Sequence, residues 1–157
     1  MDEVHLSADA HARLEEELKT RSGPRRREIS QWIERAREHG DIRENADYDA
    51  AKNEQGHNEA RVRHLGQLLR AAVIVEATDA DFVQPGSIVE IRMDDDQDTM
   101  HSLVGSIEER HDVYDVVSAT SPLGTVLLGA VPGQIVEFAG PKKTFSVEVI
   151  SVRPLDS

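Results

Sequence analysis

The sequence predicts an α+β protein: an N-terminal antiparallel α-helical coiled-coil hairpin followed by a C-terminal antiparallel β-sheet domain with a short helix. Three observations carry this. Residues from about Ser7 to Ala72 are rich in Ala, Glu, Arg and Leu and poor in β-branched residues, which is a helix-forming composition. Within that stretch Tyr48, Ala51, Gln55, Asn58, Val62, Leu65, Leu69 and Ala72 are spaced alternately by three and four, as along a coiled-coil seam. After Ala77 the chain changes to short β-rich runs, several of which alternate apolar and polar positions as half-buried strands do. The expected division is a helical finger over 1–76, a linker over 77–85 and a second domain over 86–157.

Ser7 is placed to cap the first arm, and Leu14 and Leu18, then Ile29, Ile33 and Ala36, form its apolar stripe. Ser22-Gly23-Pro24 interrupts the arm. Proline lacks an amide donor and crowds the preceding turn, so a kink or a restart is expected, with Pro24 in the first turn of the new helix. Gly40 suits a left-handed residue ending the arm. The returning arm is small and polar near the turn and leucine-rich at its base, which makes the base the anchor. About 30 residues per arm at 1.5 Å each reach roughly 45 Å. Beyond the Pro85-Gly86 turn, five runs read as strands: "SIVEIRM", "SLVGSI", "YDVVSA", "QIVEFA" and "FSVEVISV". Between the third and fourth, Ser121 as N-cap and Pro122 at the first helical position predict a short helix through Leu128. "MDDDQD" reads as a solvated hairpin turn. It lacks the glycine and distal glutamate of a calcium loop.

The formal net charge of −12 is uneven. Residues 1–76 carry 16 acids against 13 bases, a balance of −3, and residues 77–157 carry 14 acids against 5 bases, a balance of −9. A balance of −9 argues against the second part gripping a phosphate backbone unaided and favours a basic protein surface as partner, or plain solubility. There is no cysteine, which excludes disulfides and thiolate metal sites and agrees with a cytoplasmic setting. No run approaches the roughly 18 apolar residues of a membrane span, and the acidic N-terminus is not expected to be a signal peptide.

The stretch "AREHGDIRENADYDAAKNEQ" sets Asp41 and Glu44 three apart at the turn between the arms. One reading is a capping box, with Asp41 at the N-cap and Glu44 at N3. The other is a half-site for a hard cation such as Mg²⁺. Two carboxylates cannot complete an octahedral shell, so such a tip would bind metal weakly by itself and would need ligands from another protein.

That stretch, with "EARVRHLGQLL" after it, resembles the coiled-coil signature of the bacterial Gre transcript-cleavage factors, and "GSIVEIR" and "SPLGTVLLGAVPGQIVEF" resemble the C-terminal domain of the same family. The resemblance covers nearly the whole chain in the right order. It implies an FKBP-like second domain and a finger that enters the secondary channel of a backtracked RNA polymerase. It further implies that Asp41 and Glu44 help hold the second Mg²⁺ of the polymerase active centre, with none bound stably by the factor alone, and orient the water that cleaves the nascent RNA. By that resemblance the protein is a monomeric accessory rather than an enzyme, basic groups such as Arg37 and Lys52 contact the displaced RNA 3′ end, and the segment Thr120, Ser121 and Pro122 meets the rim of the polymerase.

Other candidates weigh less. Arg35, Arg37, Arg43 and Lys52 cluster near the turn, where pairing with acids four residues away on a solvated helix is the competing role. Arg25-Arg26-Arg27 reads as a solvated face, and Tyr48 as a seam residue supporting the tip. His57 and His64 are seven apart, about 10.5 Å along a helix, too far to share one zinc. Prolyl isomerisation would need an aromatic-lined pocket, and Phe82, Tyr114, Phe138 and Phe145 read as core. A channel-binding inhibitor and a non-catalytic coiled-coil adaptor are the alternatives to cleavage stimulation.

Overall fold

The computed structural model describes residues 1–40, 45–94 and 96–155. A short strand β1 (Val4–Leu6) leads into helix α1 (Ala8–Ser22), α2 (Pro24–Arg37), α3 (Ala46–Ala71) and strand β2 (Ala72–Ile74). Strands β3 (Ser87–Met93), β4 (Met100–Gly105) and β5 (Asp115–Ser118) follow, then helix α4 (Pro122–Leu127) and strands β6 (Ile135–Ala139) and β7 (Thr144–Pro154).

Two compact units emerge. The first holds Met1–Asp2 and His11–Ala71, the second Glu3–Ala10 and Ala72–Ser157. Composition had suggested a cut near residue 76, and the structure interleaves the units instead. β1 pairs in parallel with β2, Val4 opposite Ala72 and Leu6 opposite Ile74, which places Glu3–Ala10 with the second unit. Three residues are too few for period-two alternation to mark a strand, so neither β1 nor β2 was visible in the sequence.

In the first unit the helix restarts at Pro24, with Gly23 before it, as expected of the Ser-Gly-Pro break. Ile29, Ile33 and Ala51 form a small core, joined by half-buried Trp32 and Tyr48. The seam of α3 follows a heptad: Ala51, Asn58 and Leu65 are fully buried, while at the base Leu68 is more deeply buried than the predicted Leu69. With 26 residues, α3 is about 39 Å long. Asn58 is a polar residue in that seam, and it is satisfied: its Nδ2 donates to the Arg21 carbonyl at 2.9 Å and its Oδ1 accepts from the Arg21 guanidinium at 3.2 Å.

The arms are also bound by ion pairs, which corrects the reading of Arg25-Arg26-Arg27 as merely a solvated face. Arg25 reaches Glu28 and, at 3.1 Å, Glu54, while Arg26 holds Glu59 with two bonds of 2.8 Å. Arg61 grips Glu17 with bonds of 2.9 and 3.0 Å, and Arg21 reaches the same carboxylate at 2.7 Å. The Arg61 hydrogen bonds, with Arg21 assisting, hold the Glu17 carboxyl down at about 2. A carboxyl depressed in the folded state stabilises the fold above its unfolded value and loses that contribution as pH falls toward the folded one. Unfolding free energy is therefore expected to decline between about pH 4.5 and pH 2, by on the order of 1 kcal/mol from Glu17 once solvent screening of these half-exposed groups is allowed for. Denaturant titration of Glu17→Gln should show that part of the acid slope removed. An unchanged slope would refute the assignment.

The second unit is a five-stranded sheet in the order β5-β4-β3-β7-β6. All neighbours are antiparallel except β4 and β5, which run parallel. The sequence predicts an antiparallel sheet, and the β4–β5 pair departs from that. Alternation reports which face a residue lies on and is blind to strand direction. Direction is set here by the 106–114 connection, which is held by Glu109 N–H to the Ser106 carbonyl and by Arg110 to the Ile107 and Glu109 carbonyls. The almost buried Glu109 accepts from both the Ser7 amide, at 3.0 Å, and the Ser7 hydroxyl, at 2.6 Å. The Ser7 oxygen in turn caps α1 by accepting from Ala10 N–H. The core joins Val89, Ile91, Val104, Leu127, Val147 and Val149 to Val83, which lies within the expected linker. Val83 donates to the Ala130 carbonyl and accepts from Gly129, so that segment is part of the domain.

Candidate functional site

The end of the helical hairpin is built by α2 and α3. α2 stops at Arg37, its last turn closed by Glu38 and His39 amides bonding back to Arg35 and Ala36, and Gly40 has φ +108, a conformation glycine adopts without strain. Asp41 and Glu44, with Arg43, lie outside the described residues.

The described residues continue at Asn45, and here the capping-box reading is corrected. Asn45 Oδ1 accepts from the Tyr48 amide at 3.1 Å, and the Asn45 carbonyl accepts from Asp49. Asn45, therefore, is the N-cap of α3, and the third-residue amide that a cap must satisfy is already taken. Asp47 and Asp49 in the first turn complement the positive end of the helix. The signal was present in the sequence, an Asn followed by acids two and four residues on. The D-x-x-E spacing four residues earlier fits the same capping pattern.

The same Asn45 side chain donates through Nδ2 to the carbonyl of Ala36 at 2.6 Å, joining the two arms. Trp32 Nε1 donates to Asp47 at 2.9 Å from α2 to α3, a contact the sequence did not suggest. Tyr48 is half-buried against Ile29, Ile33 and Ala51, as its seam role requires. The Arg37 guanidinium stands 5.9 Å from the Tyr48 ring centroid, a cation–π distance. Lys52 pairs with Gln55 at 2.8 Å instead of an acid, so its charge is not neutralised by that partner. Both cations are exposed, one on each arm. Among the described residues no group of three or more His, Asp or Glu could hold a metal ion, and none of their helices is long and apolar enough to cross a membrane.

In the sheet domain Ser121 is the expected N-cap. Its oxygen accepts from Gly124 N–H at 3.0 Å while its hydroxyl donates to the Ser118 carbonyl at 2.7 Å. The hydroxyl is thus engaged within the chain, and Thr120 and Pro122 present the exposed surface of the segment. Phe138 and Phe145 stack across β6 and β7 with centroids 5.2 Å apart, the packing role expected of them.

Comparison with known proteins places this architecture. Residues 4–74 match the family description "Transcription elongation factor, N-terminal", and residues 77–154 match "Transcription elongation factor, GreA/GreB, C-term". The chain is 43% identical over 152 residues to transcription elongation factor GreA of Streptomyces coelicolor, covering 95% of this chain and 92% of that protein. It is 39% identical over 154 residues to GreA of Alkaliphilus oremlandii, covering 96% of each. Among solved structures, GreA factor homolog 1 of Thermus thermophilus is 27% identical, with a TM-score of 0.44 over 96% of this chain and 99% of that one. Two domain descriptions in series, and relatives matched nearly end to end, establish that the chain belongs to the GreA/GreB family of transcription elongation factors.

Proposed function

We propose that the protein binds bacterial RNA polymerase as a monomer in the cytoplasm, inserts its helical hairpin into the secondary channel, and stimulates cleavage of the nascent transcript in backtracked complexes without itself being an enzyme. Asp41 and Glu44 donate carboxylate oxygens toward the second Mg²⁺ of the polymerase and accept a hydrogen bond from the attacking water, which orients it. Hard carboxylate donors fit that ion, and a half-site completed by the polymerase fits a factor with only two of them. A Mg²⁺ pair bound there supplies Lewis-acid activation and charge stabilisation for phosphodiester hydrolysis. Arg37 and Lys52 face the displaced RNA, a role supported by their exposure on separate arms near the turn. Thr120 and Pro122, with Ser121 shaping the turn, are the contact with the rim.

The observation that carries the reading is the cap. Asn45 satisfies the Tyr48 amide, so α3 has its N-cap without Asp41 or Glu44, and the metal-donor reading of these acids has no capping role to compete with at that helix. The experiment is transcript cleavage in a stalled, backtracked polymerase complex, with and without the protein. Faster release of short 3′ RNA fragments is expected. Slowed cleavage would identify an inhibitor, and no polymerase binding an adaptor; either result would refute the proposal.

A further inference from the structure

We infer that His111 is a proton-sensitive latch on the connection between β4 and β5, closed while its ring is neutral and opened when the ring takes up a proton.

A donor and acceptor count fixes the state of the ring. His111 Nδ1 stands 3.0 Å from the Val113 amide nitrogen and 3.3 Å from that of Tyr114. A main-chain N–H can only donate, so Nδ1 is the acceptor for both. It therefore carries no proton, and the hydrogen of the neutral ring sits on Nε2. The nitrogen has one lone pair in the ring plane, and the two amides share it as a three-centre bond. An imidazolium has an N–H on each nitrogen and no acceptor. Protonation aims a third donor at two donors, and the turn over residues 111–114 loses what closes it. Histidine is the side chain whose ordinary change of charge falls between about pH 5 and pH 8.

The turn is tied to the sheet through Tyr114. Its ring lies against that of His111 with centroids 4.9 Å apart. Its hydroxyl accepts from Arg153 on β7, whose guanidinium stands 5.6 Å from the ring centroid. Charges of both signs surround the histidine. Glu109, Arg110 and Asp115 line the same open cleft, and Asp112 follows in the chain. Beyond the Tyr114 ring stand Arg153 and, with centroids 6.5 Å apart, His101 of β4. The acids favour uptake of a proton and the arginines oppose it, but neither supplies the lone pair that the two amides lose. β5 is an edge strand paired with β4. The His111 turn fixes its entry, and the Ser121 hydroxyl, through the Ser118 carbonyl, fixes its exit. Opening the latch frees the entry while the exit holds.

The test follows main-chain amides of the full chain by NMR between about pH 8 and pH 5. In wild type the exchange protection of Val113 and Tyr114, relative to the intrinsic rate at each pH, should fall on the order of tenfold. The fall should track the ring signals of His111 as they move to the protonated form. His111→Asn keeps an acceptor oxygen for the amides two and three residues on and does not titrate. Its Val113 and Tyr114 amides should stay protected at both ends of the range. The Glu109 amide, which donates to the Ser106 carbonyl, should hold its protection in both proteins. Constant protection of Val113 and Tyr114 in wild type while His111 becomes charged would overturn the proposal. So would a loss of protection in His111→Asn over the same range, or unprotected Val113 and Tyr114 amides in wild type with the ring neutral.

Discussion

Asp41→Asn should bind stalled polymerase as wild type does and yet lose most of the stimulation of cleavage, by on the order of 100-fold or more in the saturated rate. The substitution is nearly isosteric. It removes a negative charge and replaces one carboxylate oxygen with an amide nitrogen that donates and cannot ligate a cation. The N-cap of α3 is Asn45, so the substitution leaves that cap in place. The expected signature is hence an unaltered helical circular dichroism spectrum, an unaltered half-maximal protein concentration and a collapsed maximal rate. Glu44→Gln should behave alike, and the double variant should be little worse than either single one, since groups acting as a unit are non-additive. Full activity of Asp41→Asn at saturation would show that the carboxylate is not a metal donor.

Gly124→Ala is expected to be the most destabilising single-methyl change in the sheet domain. A Cβ at that position would stand 1.9 Å from the Ser118 carbonyl oxygen, 2.8 Å from its carbon and 3.0 Å from the Ala119 Cα. All three are backbone atoms and cannot rotate aside. The crowding follows from the cap: Ser121 bonds both the Gly124 amide and the Ser118 carbonyl, drawing α4 down onto the end of β5. Relief means moving α4, which carries Leu127 into the core. A cost of about 3 kcal/mol or more is expected, lowering the melting temperature by roughly 12 °C or more for a domain of this size. A shift below about 3 °C in calorimetry would contradict the close approach. The change should also weaken polymerase binding if Thr120 and Pro122 meet the rim.

The elements themselves were legible. The helical arms, the break at Pro24, the glycine after α2, the Ser121 cap and all five strands of the main sheet follow from local rules: ring geometry, capping oxygens, heptad spacing and alternation. What escaped was pairing. The parallel match of β1 with β2 joins residues 68 apart, and no local pattern in either triplet announces it. Val83 looked like linker because Asp79, Asp81 and Pro85 surround it, and only its bonds to Gly129 and Ala130 make it core. At the candidate site the acidic motif is readable as a motif, whereas the cap sits four residues later than the D-x-x-E spacing predicts. Asn45 fills the capping role, and its side chain also bonds Ala36 across the arms.

The amino-acid sequence by itself determined the family, the helical finger and the acids at its turn, since these depend on residue identity and on spacings of a few positions. Only the tertiary structure decided which cations bridge the arms, which strand runs parallel, and that one asparagine holds both ends of the turn. Each of those is a contact between residues distant along the chain. Such contacts are selected by closing a loop and burying or pairing groups together, and that energy resides in no single segment.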